Sequence, residues 1–265
     1  MMKDERGDNE YVKETFSEQI QEILTEYKIG KKPLARLLGW GETTIIRYME
    51  GDIPTTEYLS RLKQIHCDPN YYYRLLLENR DKLTNVAFKK SRKAVLEKIM
   101  NSKIKLLAQY IINYCNRDIT MWAVETILYY SQILSLTMYN KPIFEEKCQI
   151  TYNILPYVEL YEYMKLHGIY IMEIEENQIS KEEKYIIQTV IKAFEWYNFK
   201  AASALLLKER EESEMEQYQD EEKKISHDNF RECYTKLFQS YQVLKPEDFI
   251  PYVWNRISRL MEEKK

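Results

Sequence analysis

Residues 34–54 read LARLLGWGETTIIRYMEGDIP, and this stretch decides how the first part of the chain folds. Leu34, Ala35, Leu37 and Leu38 predict a short apolar helix, which Gly39-Trp40-Gly41 interrupts. Glu42 or Thr43 opens a second helix in which Ile45, Tyr48 and Met49 recur at i, i+3 and i+4, and Gly51 and Pro54 stop it. Two short helices joined by a tight turn are a helix-turn-helix. Glu42, Thr43, Thr44, Ile46, Arg47 and Glu50 point away from the apolar stripe. Most of these are short or polar groups suited to base edges and phosphates in a major groove.

The sequence around it supplies a small bundle. Phe16, Ile20, Ile23, Leu24 and Tyr27 predict an amphipathic helix starting near Thr15, after a polar, frayed start. Pro33 suits the first turn of the next helix, whose amides have no helical partner to lose. Thr55 caps a helix carrying Leu59, Leu62 and Ile65, and a fifth helix follows Asp68-Pro69 and reaches about Lys82. The expected DNA-binding domain is 1–82. Residues 83–101 carry Lys89, Lys90, Arg92, Lys93 and Lys98 beside Val86, Phe88, Val95, Leu96 and Ile99. They read as a basic helical linker, or alternatively as a helix lying on the DNA backbone or in a dimer contact.

Charge divides the chain the same way. The net charge is −3, yet residues 28–105 hold 17 Lys plus Arg against 8 Asp plus Glu, whereas residues 106–265 hold 19 against 26. A basic block beside an acidic remainder predicts one part facing phosphates and another facing a different partner. With 45% hydrophobic residues, six Gly and seven Pro, the chain is expected to be globular and mainly α-helical. No apolar run is long enough for a membrane span, and the acidic start is unlike a secretory signal, so no membrane association and a cytoplasmic location are expected.

The second domain, 102–265, is expected to be helical with a small β-sheet. Ile104, Leu107, Ala108, Ile111 and Tyr114 form one helix face, and Met121–Met138 is apolar on most sides and therefore central. Ile150, Tyr152 and Ile154, then Ile169, Ile171 and Met172–Ile174, alternate as two short strands flanking a helix from Pro156 to His167. Ser180 and Glu183 form a capping box for a further helix. Glu209–Lys224 reads as a solvated helix or mobile loop because it is acidic with almost no apolar residues. The last helix is expected to bury Val253, Trp254, Ile257, Leu260 and Met261.

Catalytic constellations are absent from the sequence. There is no Gly-rich phosphate loop, HExxH or nucleophile elbow. His66, His167 and His227 are scattered, and Cys67, Cys115, Cys148 and Cys233 form no CxxC pair, so no metal, cofactor or disulfide framework is expected. The cysteines read as small buried hydrophobes, and the protein is expected not to be an enzyme.

Two resemblances add to this reading. Leu34-Ala35, Leu38-Gly39, Ile45, Arg47-Tyr48, Gly51, Pro54, Leu59 and Leu62 resemble an Xre/MqsA-like helix-turn-helix. That resemblance implies that Thr43, Thr44 and Arg47 face the groove, with Arg47 suited to pair bidentately with guanine. It places Lys31, Lys32, Trp40 and Tyr48 at the phosphate backbone; Lys31 stands where the family usually has Gln, which shifts its role towards a phosphate contact. AVETILYYSQILSLTMYNKPIF and PYVELYEYMKLHG, in residues 102–250, resemble the Panacea (SocA-like) domain. Tyr152-Asn153-Ile154-Leu155-Pro156 replaces the family's Trp-x-Tyr-Gly-Pro run. Together the halves resemble an antitoxin that represses its own operon and neutralises a cognate toxin by direct binding. The resemblance implies operator DNA and that toxin as partners, a homodimer or a hetero-oligomer with the toxin, and Tyr129, Tyr130, Tyr161 and Glu162 as toxin-contacting residues. The alternatives are a phage or mobile-element transcription regulator, or a proteolysis adaptor, without toxin neutralisation.

Overall fold

The computed structural model describes residues 5–149, 155–197 and 199–262. It is mainly α, with thirteen α-helices and one two-stranded antiparallel sheet among the described residues. The chain divides into two compact units, Met1–Asn101 and Ser102–Lys265.

In the first unit, α1 (Glu5–Glu26) begins well before Thr15. Its Phe16, Ile20, Ile23 and Tyr27 are buried, as the spacing predicts. It packs on α3 (Thr44–Met49) and α4 (Thr56–Cys67), while α2 (Lys31–Leu38) packs on α3. Thr55 caps α4, accepting from the Tyr58 amide, and Asp68 caps α5 (Pro69–Glu78) with Pro69 in its first turn. A 3-10 turn, Arg80–Lys82, completes the stretch expected as one helix.

The expected linker belongs to this unit. Helix α6 (Asn85–Ile99) packs on α5 and buries Phe88, Ser91, Ala94, Val95, Leu96 and Ile99. Tyr72 stacks on Tyr27 with ring centroids 3.9 Å apart and meets Ser91 Oγ at 2.6 Å, while Tyr27 Oη donates to the Ile65 carbonyl at 2.9 Å. The basic residues drew attention to a solvated segment, but the interleaved apolar ones form a complete helical face.

The second unit surrounds α8 (Met121–Tyr139), in which every residue from Val124 to Leu136 is buried. Around it pack α7 (Lys103–Tyr114), α9 (Val158–His167), α10 (Lys181–Phe194), α11 (Phe199–Glu212) and α12 (His227–Ser240). The final helix, α13 (Phe249–Glu262), lies on α10 and α11. Ser180 and Glu183 form the predicted capping box. The α13 face is turned from expectation: Phe249, Tyr252, Val253, Arg256 and Ile257 are buried, while Trp254 and Met261 are exposed. Those five residues have regular helical spacing, and Arg256 lies on the buried face among them.

The sheet also differs. Strand β1 (Cys148–Gln149) pairs with β2 (Lys224–Ile225), Cys148 opposite Ile225. The expected strand at 150–154 lies outside the described residues. The segment 169–174 has no regular secondary structure and joins no strand among the described residues. Gln109 Nε2 on α7 donates to the Tyr170 carbonyl at 2.7 Å and Asn113 Nδ2 to the Met172 carbonyl at 2.6 Å. Side-chain amides thus satisfy backbone groups that a neighbouring strand would otherwise bond.

Gln132 does the same for the turn after α8. Its Nε2 donates to the Phe144 carbonyl at 3.0 Å and its Oε1 accepts from the Ile143 amide at 2.8 Å, so the Lys141–Phe144 segment is templated on the helix. Gln132→Ala should leave both buried backbone groups without partners and destabilise the second unit by roughly 2–5 kcal/mol, read from urea unfolding. A loss under about 1 kcal/mol would mean that the turn holds itself.

Candidate nucleic-acid interface and the expected partner surface

Helix α2 ends at Gly39, whose backbone is left-handed (φ 73°), and the Trp40 amide bonds back to the Ala35 carbonyl at 2.8 Å. This closes the turn as a glycine cap and delivers Trp40 inwards. Trp40 is 8% exposed and stacks on Tyr58 at 4.2 Å, with Tyr48 edge-on to both rings and to Phe16. Its expected place at the DNA backbone is therefore corrected: Trp40 is core. Tyr48 is half-buried in the same cluster, and burial pushes its phenol pKa up. These rings pin α3 to α1 and α4, and so set which side of α3 faces outwards.

The outward side carries most of the expected residues. Thr43, Arg47, Lys31 and Lys32 are exposed, and Thr44 is half-buried. Thr43 precedes α3 without capping it, so its hydroxyl is not engaged at the helix start. Exposed Thr43, Arg47 and Glu50 fall on one side of α3.

Sequence reading missed the acids that answer these cations. Arg47 Nε donates to Asp52 Oδ2 at 2.7 Å, and its Nη2 lies 2.6 Å from the same oxygen. Glu42 pairs with Arg36 and, at 3.6 Å, with Lys32. The Arg36 guanidinium beside Glu42 holds that carboxyl below its ordinary pKa. All five groups are well exposed, where solvent screens such pairs and they contribute little to stability. The signal was present: Asp52 is five residues beyond Arg47, just past the end of the helix.

In the second unit, the expected partner-contacting residues separate. Tyr161 is half-buried and Glu162 exposed on α9, but Tyr129 and Tyr130 are 0% exposed and cannot meet a partner. Their hydroxyls serve the interior. Tyr130 Oη donates to Glu209 Oε2 at 2.7 Å, Tyr234 Oη to the same oxygen at 3.1 Å, and Tyr252 Oη to Glu209 Oε1 at 2.6 Å. Tyr129 Oη meets Tyr234 Oη at 2.7 Å. The solvated reading of 209–224 is thus corrected at its start: Glu209 is 0% and Arg210 5% exposed, both on α11. Arg210 is 5.8 Å from the Tyr129 ring centroid.

Burial raises the Glu209 pKa to about 7, against the pull of the three tyrosine hydrogen bonds and Arg256. A second carboxyl, Glu125 on α8, accepts from the Tyr157 amide at 2.8 Å and is pushed up to about 8 by burial. Cys148 and Cys233 are buried as expected, Cys115 is half-buried and Cys67 exposed; all four are free thiols. The described residues contain no group of three or more His, Cys, Asp or Glu arranged to hold a metal.

No family model matches the chain, and neither a curated protein nor a solved structure matches it.

Trp40→Ala should cost the first unit about 3–5 kcal/mol in urea unfolding; a cost under about 1 kcal/mol would remove Trp40 from the core. The pH dependence of the second unit follows from its two carboxyls. An unfolded Glu titrates near 4.5, so between about pH 4.5 and 8 the folded unit keeps protons that the unfolded chain has released. Stability therefore falls as pH rises through that window and levels off above it. The unit's Tm should be lower at about pH 9 than at about pH 5, and Glu125→Gln should remove part of the drop. An identical drop in Glu125→Gln would exclude that carboxyl as a cause.

Proposed function

We propose that the protein is a DNA-binding regulator with the organisation of an antitoxin: the first unit holds operator DNA, and the second binds a protein partner, a cognate toxin. The observation that carries the DNA half is the arrangement of α2 and α3. Their apolar residues are spent on α1, α4 and the aromatic cluster, and their outward side offers Lys31, Lys32, Arg36, Thr43 and Arg47. In this reading α3 lies in the major groove with Arg47 and Thr43 at base edges, while Lys31 and Lys32 on α2 meet phosphates. A dimer would read two half-sites about one helical turn apart. No helix among the described residues is long and apolar enough to cross a membrane. We place the protein in the cytoplasm, beside its DNA.

The partner half rests on the resemblance of residues 102–250 to the Panacea domain and on the acidic balance of that half, which suits a basic toxin surface. With Tyr129 and Tyr130 in the core, the contact falls to exposed side chains such as Glu162 and the accessible part of Tyr161. The same correction favours a second reading, a transcription regulator of a phage or mobile element that neutralises nothing: half of the residues expected at the toxin are core.

Two measurements separate these readings. In a gel shift with the DNA upstream of its gene, the protein should form a salt-sensitive complex, and Arg47→Ala should weaken it by roughly 5- to 150-fold, equivalent to 1–3 kcal/mol. Absence of any complex would overturn the DNA half. Co-expression should relieve the toxicity of the product of the adjacent gene; a harmless neighbour, or one that stays toxic, leaves the regulator alone standing.

A further inference from the structure

We propose that the phosphate-binding surface of the first unit continues from α2 across the Arg80–Lys82 turn onto α6, where Lys82, Lys89 and Lys90 hold the duplex backbone. This rests on the DNA-binding reading above and extends it to residues outside the helix-turn-helix.

The first observation is where the uncommitted positive charge sits. Within the helix-turn-helix, Lys32 and Arg36 are paired with Glu42 and Arg47 with Asp52, which leaves Lys31 as its exposed cation outside any ion pair among the described residues. Lys82, Lys89 and Lys90 are exposed, and their side chains make no ion pair or hydrogen bond among the described residues. Ammonium groups without an internal acid bind phosphate with no ion pair to give up, and each contact releases a condensed counterion.

The second is continuity. The Arg80–Lys82 turn packs directly on α2, the helix that crosses the phosphate backbone in this type of docking. Helix α6 begins three residues after Lys82, capped by Thr84, whose Oγ1 accepts from the Ala87 amide at 3.3 Å. Its buried face fixes its opposite one: Val86, Lys89, Lys90, Lys93 and Glu97 are the exposed stripe. At the far end, Glu97 pairs with Lys28 at 3.7 Å and Lys98 with Glu26. Acids therefore balance the C-terminal half of α6, whereas from the turn to Lys90 the cations Arg80, Lys82, Lys89 and Lys90 outnumber a single acid, exposed Asp81.

The third is rigidity. Arg80 Nη1 donates to the Leu83 carbonyl at 3.2 Å, its Nη2 bonds Asn85 Oδ1, and its guanidinium lies 4.3 Å from the Phe88 ring centroid. One side chain thus joins the turn to the first turns of α6, so the lysines stand on a fixed base. These lysines carry no base-reading geometry, so their contribution is independent of sequence.

The test is fluorescence anisotropy of the full chain with a mixed-sequence duplex of about 30 base pairs over a range of salt. Lys82→Gln/Lys89→Gln/Lys90→Gln should bind more weakly, and the slope of log affinity against log salt should shrink by about 0.9 for each lysine on a phosphate, up to ~2.7. A matched triple in the second unit, Lys147→Gln/Lys181→Gln/Lys192→Gln, should leave the slope unchanged. An unchanged slope in the first triple overturns the proposal, as does an equal fall in both triples, which would make the effect one of total charge. An unchanged slope with a change in the protein's sedimenting mass would overturn it in favour of a protein contact. If the unsubstituted chain gives no salt-dependent complex, the DNA-binding reading itself falls. Unchanged unfolding midpoints in both triples show that binding, not folding, is being read.

Discussion

Within the second unit the arrangement of helices turns on one buried carboxylate. Glu209 receives hydroxyls from α8, α12 and α13 at once, through Tyr130, Tyr234 and Tyr252. Taking a carboxyl out of water raises its pKa, here to about 7, and hydrogen bonds offset the loss of hydration only if every donor arrives with good geometry. The requirement is mutual, since the three phenols also need acceptors in an interior that water does not reach. Four helices are thus held to one register by a shared polar atom pair, and the surrounding rings add aromatic contacts. Tyr130 and Phe249, for example, lie 5.2 Å apart. Apolar packing would tolerate a helix turned by some tens of degrees; this network would not.

The first unit solves the same problem with rings. Trp40 comes from the turn between α2 and α3, Tyr48 from α3, Tyr58 from α4 and Phe16 from α1. A helix as short as Thr44–Met49 has little stability of its own, and the cluster gives it an orientation. Its outward side is consequently free to carry Thr43 and Arg47. The ion pairs there, Arg47 with Asp52 and Glu42 with Arg36 and Lys32, order long side chains at little energetic gain. They are weak enough to exchange for other partners, as the proposed DNA contact requires.

Both units therefore place aromatic residues where sequence reading expected surface contacts. Trp40 next to two glycines, and Tyr129-Tyr130 within a motif resembling a known domain, have the character of recognition residues when viewed alone. Each is instead the centre of its own core. The reason is size: a Trp or Tyr side chain buries a large apolar area, and the polar atom can be satisfied internally when a partner such as Glu209 is supplied.

Much of the fold was legible because its signals are local. The caps at Thr55 and Ser180, the glycine at the end of α2 and the apolar periodicity of α1 and α8 act over a few residues and appear where the sequence places them, while the expected α7 face buries Ile104, Leu107, Ala108 and Ile111 but leaves Tyr114 exposed. Those features determine that the chain is mainly helical and that residues 34–54 form two helices about a tight turn. The tertiary structure alone decided which faces are buried, that α6 completes the first unit, that Cys148 pairs with Ile225, and that Glu209 is interior while Glu162 is exposed. The physical reason lies in distance along the chain. A carboxylate is buried only if hydroxyls 79, 25 and 43 residues away converge on it, and no window of sequence around residue 209 contains that balance of desolvation against hydrogen bonding.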